Sequence, residues 1–227
     1  MLGNRPRALG SALIVCALGA GPPGVRAAPV QGVVQFPDEP PRRGAYSRVP
    51  NGALPIAAPL VDPRTAAVVV LSPDPPKADG EAPKVEARVQ GQRLSPPLVV
   101  APPGAALTLR NEDRRPLPLT LRCPGAPPLE ATVPAGGEQA LTLPTLPPQT
   151  LCALRSPGHG PLSGAVLLEH APAGRVAADG SFRVDVPEGT YQARVYWQGL
   201  RAGPNPVTVG ATGTAVTLSL RGARPAP

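Results

Sequence analysis

Leu107-Thr-Leu-Arg-Asn111-Glu-Asp113-Arg-Arg-Pro-Leu117-Pro-Leu119-Thr-Leu121-Arg-Cys123 decides the fold class of this chain. Leu107 and Leu109, then Leu117, Leu119, Leu121 and Cys123, recur at every second position, the repeat of an extended strand with one buried face. Pro118 within the second run places that strand at a sheet edge, or at its own beginning. Working outward, Val85, Ala87 and Val89 alternate with Glu86 and Arg88. Leu98-Val-Val, Leu129 to Val133, Gln139 to Leu143, Gln149 to Leu154 and Gly164 to Leu168 supply further segments of strand length. Turn residues separate these segments at intervals of about 8 to 12, the signature of an all-β sandwich. Seven or eight short strands between Lys84 and His170 predict a Greek-key sandwich. Long helical periodicity is nowhere evident.

A second, smaller sandwich is expected after it. Gly174 to Trp197 contains an Asp179-Gly180 turn, a strand through Phe182, Val184 and Val186, a Pro187-Glu-Gly189 turn and another strand through Tyr191 and Val195. Strands at Val207-Thr-Val209 and Ala215 to Leu220 follow, and Phe182, Tyr191 and Trp197 are its expected core anchors. Upstream, Val30 to Phe36 is a candidate first strand, and a Pro/Arg/Gly-rich passage through about residue 63 has little to bury. Ala66-Ala-Val-Val-Val-Leu71 is apolar throughout, as in a strand buried deep in a core, and residues 72–83 form a linker.

The first residues have the layout of a secretory leader: Arg5 and Arg7, an apolar stretch from about Leu9 to Ala20, a Gly21-Pro-Pro-Gly24 breaker and Arg26-Ala27-Ala28. An apolar core of about a dozen residues is short for a span, which takes about 20. Cleavage after residue 28 would place the chain in the periplasm or outside the cell; an uncleaved anchor, or a lipoprotein modified at Cys16, are the alternatives. Cleavage leaves Cys123 and Cys152, an even pair in an oxidising compartment, so one disulfide is expected. Two buried free thiols or a metal-thiolate site remain open. The formal charge of +7 falls to +4 without Arg5, Arg7 and Arg26, and the arginines are scattered among prolines rather than interleaved with aromatics, so no nucleic-acid partner is expected. Proline and glycine make up 61 of 227 residues, but they cluster between the apolar segments instead of replacing them.

Catalytic motifs are absent: there is no Gly-x-Ser-x-Gly elbow, no phosphate loop and no Cys-x-x-Cys pair, and only two histidines, His159 and His170. No enzyme activity is expected. Glu112-Asp113 beside Arg114-Arg115 reads as a charged loop with local salt bridges, and His170 as a surface residue.

Two family resemblances rest on these residues. Pro96-Pro-Leu-Val99-Val100 with Gly104 ahead of Asn111-Glu-Asp113, the Pro134-Ala-Gly-Gly137 turn, and His159-Gly-Pro-Leu162-Ser-Gly-Ala-Val166 resemble a small plastocyanin-like cupredoxin. That resemblance implies a blue-copper site of two imidazoles, a thiolate and an axial thioether. At the implied ligand positions stand Leu117 for the first histidine, Ser156 for the cysteine, His159 for the second histidine and Leu162 for the methionine. Three of four donors are gone, so no metal is expected at these vestigial positions. The tail from Asp179-Gly-Ser-Phe182 through Tyr191 to Val216-Thr-Leu-Ser-Leu220 resembles the carboxypeptidase regulatory-like module, a transthyretin-like or Ig-like β-sandwich.

The chain thus divides into a leader (1–28), first strands with Pro-rich loops and linker (29–83), a cupredoxin-like unit (84–170), a carboxypeptidase regulatory-like sandwich (171–222) and a tail (223–227). Either the two sandwiches follow in series, or residues 30–71 complete the second and the cupredoxin-like unit is an insertion. The expected function is a non-enzymatic exported β-sandwich protein with a metal-free cupredoxin-like domain, a binding or structural module of the cell envelope. Its partner would be an unidentified envelope or extracellular molecule, and no cofactor and no transmembrane span after leader cleavage are expected. The alternative is copper-dependent electron transfer or copper handling through a nonstandard site of Cys152 and His159, with Cys123 as a further ligand.

Overall fold

The computed structural model describes residues 27–37, 63–74, 84–91, 93–156 and 163–226. The leader upstream of Ala27, most of the Pro/Arg/Gly passage, His159 and Leu162 lie outside the described residues. Strands β1 (Ala27–Gln35) and β2 (Val68–Pro73) precede β3 (Val85–Gln90), β4 (Arg93–Ser95), β5 (Leu98–Ala101), β6 (Ala106–Asn111) and β7 (Leu117–Arg122). There follow β8 (Leu129–Val133), β9 (Glu138–Thr142), β10 (Thr150–Arg155), β11 (Ser163–Leu168) and β12 (Ala173–Arg175). The series ends with β13 (Ser181–Pro187), β14 (Gly189–Trp197), β15 (Leu200–Val209), β16 (Thr214–Ser219) and β17 (Arg224–Pro225). The chain is all-β, and its strands form sandwiches.

One sandwich packs the sheet β4-β3-β6-β9 against β5-β11-β10-β7-β8. Its core holds Leu107, Leu109, Leu117, Leu119, Leu121 and Cys123, the residues whose alternation predicts the strands. The β3–β6 and β5–β11 pairs are parallel, so the chain crosses between sheets rather than meandering along one. The other sandwich packs β13-β1-β16 against β12-β2-β14-β15-β17. Here β1 lies between β13 and β16, antiparallel to the first and parallel to the second, and β2 lies between β12 and β14. Residues from both ends of the chain therefore share one core, with Val30, Leu71, Phe182, Tyr191 and Trp197 in it. Phe36 meets the Trp197 ring edge-on at 5.2 Å, and the Tyr191 hydroxyl donates to the Pro187 carbonyl at 2.8 Å.

The two sandwiches meet through a third apolar cluster of Val68 and Val70 on β2, Tyr196 on β14, Leu98 on β5 and Leu167 on β11. This explains the apolar runs that do not alternate. Along β2, Val69 and Leu71 enter one core while Val68 and Val70 enter the junction, and β11 likewise sends Val166 and Leu168 inward and Leu167 outward. A strand buried on both faces needs apolar side chains at every position.

The described strands differ in detail from the segments read in the sequence. Of the two places offered for Pro118 the structure takes the second, the beginning of its strand: β10 and β8 flank β7, and Pro118 is its second residue, beyond the last pair with β10, Arg155↔Thr120, so the ladder loses no hydrogen bond to the ring. Nine strands, not seven or eight, build residues 85–168, since Arg93–Ser95 adds a three-residue strand too short to show periodicity. Residues 72 and 73, assigned to the linker, extend β2. The assigned tail includes β17, paired with Leu200 and Arg201. β1 begins at Ala27, with Ala27 and Ala28 paired with Pro187 and Val186 and Ala28 buried.

Candidate functional site

The end of the sandwich to which the copper-site comparison points is organised by Asn111, the last residue of β6, which is fully buried. Its Nδ2 donates to the carbonyls of Arg115 at 2.8 Å, Pro134 at 3.1 Å and Val133 at 3.3 Å. Its Oδ1 accepts the Asp113 N–H at 3.0 Å, and its backbone N–H donates to Gly137 at 2.9 Å. One amide thus holds the loop that delivers Leu117 against the Pro134–Gly137 turn. The acids in that loop reach across to β3 and the turn after it. Glu112 meets Arg88 on β3 at 3.7 Å, and Asp113 Oδ1 accepts the Gly91 N–H at 2.8 Å.

Leu117 is buried and packs within the hydrophobic core. Ser156, just past β10, is buried too, and its Oγ donates to the Pro118 carbonyl at 2.7 Å. The physical reason lies in the ladder. β10 and β7 stop pairing at Arg155↔Thr120, so the Pro118 carbonyl has no backbone donor across from it, and a buried acceptor without a partner costs about 1–3 kcal/mol. The Ser156 hydroxyl supplies that donor. Of the four positions singled out in the sequence, Leu117 on β7 and Ser156 just past β10 therefore lie at one end of the sheet, joined through Pro118; His159 and Leu162 belong to the segment outside the described residues.

Cys123 and Cys152 form a disulfide, with Cα atoms 4.2 Å apart. Cys123, just past the end of β7, lies across from Cys152 on β10, one step from the Ala153↔Arg122 pair, and both are buried in the core with Leu121 and Leu154. Neither offers a thiolate while the bond is intact. Closing a loop with a separation of 29 residues implies a chain-entropy contribution of about 3 kcal/mol. Replacing both cysteines with alanine should lower the unfolding free energy by about that amount, read as a shift in the urea midpoint.

His170 is exposed, as expected of a surface residue, and its backbone N–H donates to Glu169 Oε1 at 3.0 Å. Among the described residues, no three His, Cys, Asp or Glu side chains gather as metal ligands would. On the outer face of β3, β6 and β9 a shallow recess of about 40 Å³ is lined by Glu86, Arg88, Thr108, Arg110 and Glu138. The Arg110–Glu138 ion pair crosses it at 3.7 Å, and such exposed pairs contribute little.

Sequence patterning missed a polar cluster at the junction of the sandwiches. Glu169 is buried, its Oε1 also accepts the Ala171 N–H at 3.4 Å, and its Oε2 has no partner. The Tyr196 hydroxyl is likewise buried without a well-formed hydrogen bond, while Arg201 nearby donates to Gln149 Oε1 across the junction at 3.2 Å. Burial raises the Tyr196 pKa above 10.0, Glu169 adds to the rise, and Arg201 and Arg194 offset part of it. The folded chain then keeps the phenolic proton after the unfolded chain has lost it. Stability is held in full below pH 10.0 and is lost as pH climbs through the folded value. Tyr191 is raised by burial in the same direction. Urea unfolding on either side of that pH should show the loss, and Tyr196→Phe should make it smaller, leaving the share of Tyr191.

No family model matches this chain, and no curated protein does. Solved structures similar to part of it include a purple cupredoxin from Nitrosopumilus maritimus, at 13% identity over 38% of this chain and 100% of that one, with a TM-score of 0.32. An oxidised methionine-to-leucine variant of amicyanin matches at 16% identity over 45% of this chain and 98% of its own, with a TM-score of 0.33. A reduced Cu(I) proline-to-glycine variant of amicyanin matches at 15% identity over 46% and 99%, with a TM-score of 0.33.

Proposed function

We propose that this is a non-enzymatic exported protein whose cupredoxin-like unit works without copper, as a binding or structural module of the cell envelope. The observation that carries this reading is what has become of the ligand positions. Leu117 is core packing and Ser156 is a ladder cap, so both have structural tasks that a metal ligand there would have to abandon. A type 1 site needs a thiolate and two imidazoles in its plane. The disulfide between Cys123 and Cys152 withdraws the thiols that a nonstandard copper site would draw on. The resemblance of residues 171–222 to a carboxypeptidase regulatory-like module fits the same role, since such a sandwich offers surface and support, and the leader layout favours export. The partner is an envelope or extracellular molecule.

Titrating the purified protein with Cu(II) tests the proposal. We expect no intense visible band of the thiolate-to-copper type. A band of that kind, abolished by His159→Ala, would overturn the metal-free reading. Thiol titration of denatured, non-reduced protein should find Cys123 and Cys152 unreactive; reactive thiols at those positions would restore the copper-handling alternative.

A further inference from the structure

Sheet edges are where a chain with this many strands is most exposed to unwanted pairing, and natural sheets guard them with charges, prolines or cover. Among the described residues, β4, β8, β9, β12, β13 and β17 each carry a charged residue, from Arg93 on β4 to Arg224 on β17. The edge strand β5 is uncharged, but it lies between Pro97 and Pro102 and its side chains enter the core and the junction. β15 beyond its short pairing with β17 carries Pro204 and Pro206. β16, Thr214-Ala-Val-Thr-Leu-Ser219, is the outer strand of β13-β1-β16 and has none of these guards.

We propose that β16 is a self-association edge, at which two copies of this chain pair antiparallel about a two-fold axis through Thr217. The register follows from the hydrogen bonds. In a parallel pair, alternate residues turn both N–H and C=O toward the neighbouring strand. Leu220 N–H donates to the Gln35 carbonyl of β1, which assigns the even-numbered residues of β16 to β1 and leaves Ala215, Thr217 and Ser219 directed at the open edge. Side-chain faces impose a second condition. Val216 and Leu218 pack toward the core while Ala215, Thr217 and Ser219 face outward; facing residues of two joined strands must lie on the same side of the sheet, so odd pairs with odd.

Centring the axis on Thr217 meets both conditions with the longest overlap. Thr217 then faces the partner's Thr217, Ala215 faces the partner's Ser219, and Val216 faces the partner's Leu218, with the free backbone groups exchanged across the seam. Threonine–threonine and apolar cross-strand pairs are favourable, and no like charges meet. Arg221, just past β16, falls opposite the partner's Gly213 in this register, so the two Arg221 side chains lie at opposite ends of the seam, and on β13 Arg183 and Asp185 meet at 3.0 Å. A second copy is the occupant that this self-complementary register fits, with no charged side chain inside the overlap, and the contact is isologous and closed.

Sedimentation velocity across the micromolar range should show a concentration-dependent dimer. Thr217→Pro should weaken it by at least about tenfold without lowering the thermal midpoint of the monomer, because among the described residues no strand lies on the side to which the Thr217 N–H points. Thr217→Cys should crosslink to itself under mild oxidation, since residues facing each other in a hydrogen-bonded pair have Cα atoms about 5.5 Å apart, within disulfide reach. Ala215→Cys should not. A protein that stays monomeric, a dimer indifferent to Thr217→Pro, or crosslinking of Ala215→Cys in preference to Thr217→Cys would each overturn the proposal.

Discussion

Asn111→Leu is expected to lower the unfolding free energy by about 4 kcal/mol, near the upper end of single-residue effects. Leucine matches asparagine in branching and heavy-atom count but is bulkier, so lost polarity is the main term and overpacking adds to it. Removing the amide strips donors from the carbonyls of Arg115, Val133 and Pro134 and an acceptor from the Asp113 N–H, all four around a fully buried site. Each buried group left without a partner costs about 1–3 kcal/mol, and water reaching the opened loop recovers part of the sum. Asn111→Asp separates the contributions: the carboxylate keeps the bond from Asp113 but sets negative charge against three carbonyl oxygens, so it should be no more stable than the leucine variant. Urea unfolding of both variants against the parent checks the order. A loss under about 1 kcal/mol for Asn111→Leu would mean that the amide is not the clasp of this loop.

Gly32→Ala should be comparably damaging, at about 4 kcal/mol, through backbone collision instead. A methyl group at Gly32 would run into the Val216 carbonyl oxygen on β16 and approach Phe182 Cε1 to 3.0 Å. Gly32 pairs with Val216 on one side and Phe182 on the other, so β1 has no direction in which to yield. The obstruction is backbone, which cannot rotate away as a side chain would. Because β1 is the central strand of its sheet, parting it from β16 undoes a core to which both ends of the chain contribute. Thermal unfolding of Gly32→Ala should fall well below that of Gln31→Ala, whose side chain faces outward from the same strand. Equal midpoints for the two would contradict the close β1–β16 approach.

How much of this was legible beforehand depends on whether a feature has a local signature. The alternation from Leu117 to Cys123 specifies both a strand and the side on which a thiol lies, and the disulfide follows that parity. Phe182, Tyr191 and Trp197 are large enough to announce a core. The apolar run at Val68 to Leu71 signals burial, but not that half of it belongs to a junction between sandwiches. Pro118 left an edge and a strand's beginning both open, because a missing N–H matters only where the neighbouring ladder reaches, and the place where β10 stops pairing is a tertiary fact. Asn111 is hidden for a related reason: all four partners of its side chain are backbone groups whose positions no side-chain pattern encodes. Tyr196 and Glu169 look like ordinary outward positions until a second sandwich covers them.

The central claim is that Leu117, Ser156, His159 and Leu162 mark a copper site from which the donors have been lost. Restoring them tests it most directly: the triple variant Leu117→His, Ser156→Cys, Leu162→Met, loaded with Cu(II) beside the parent protein and examined by visible absorption. We expect the parent to stay colourless and the folded triple variant to develop the intense thiolate-to-copper band of a type 1 site. A folded triple variant that binds copper without that band, or does not bind it, would contradict the convergence of these positions, and a band in the parent would contradict the loss of the site.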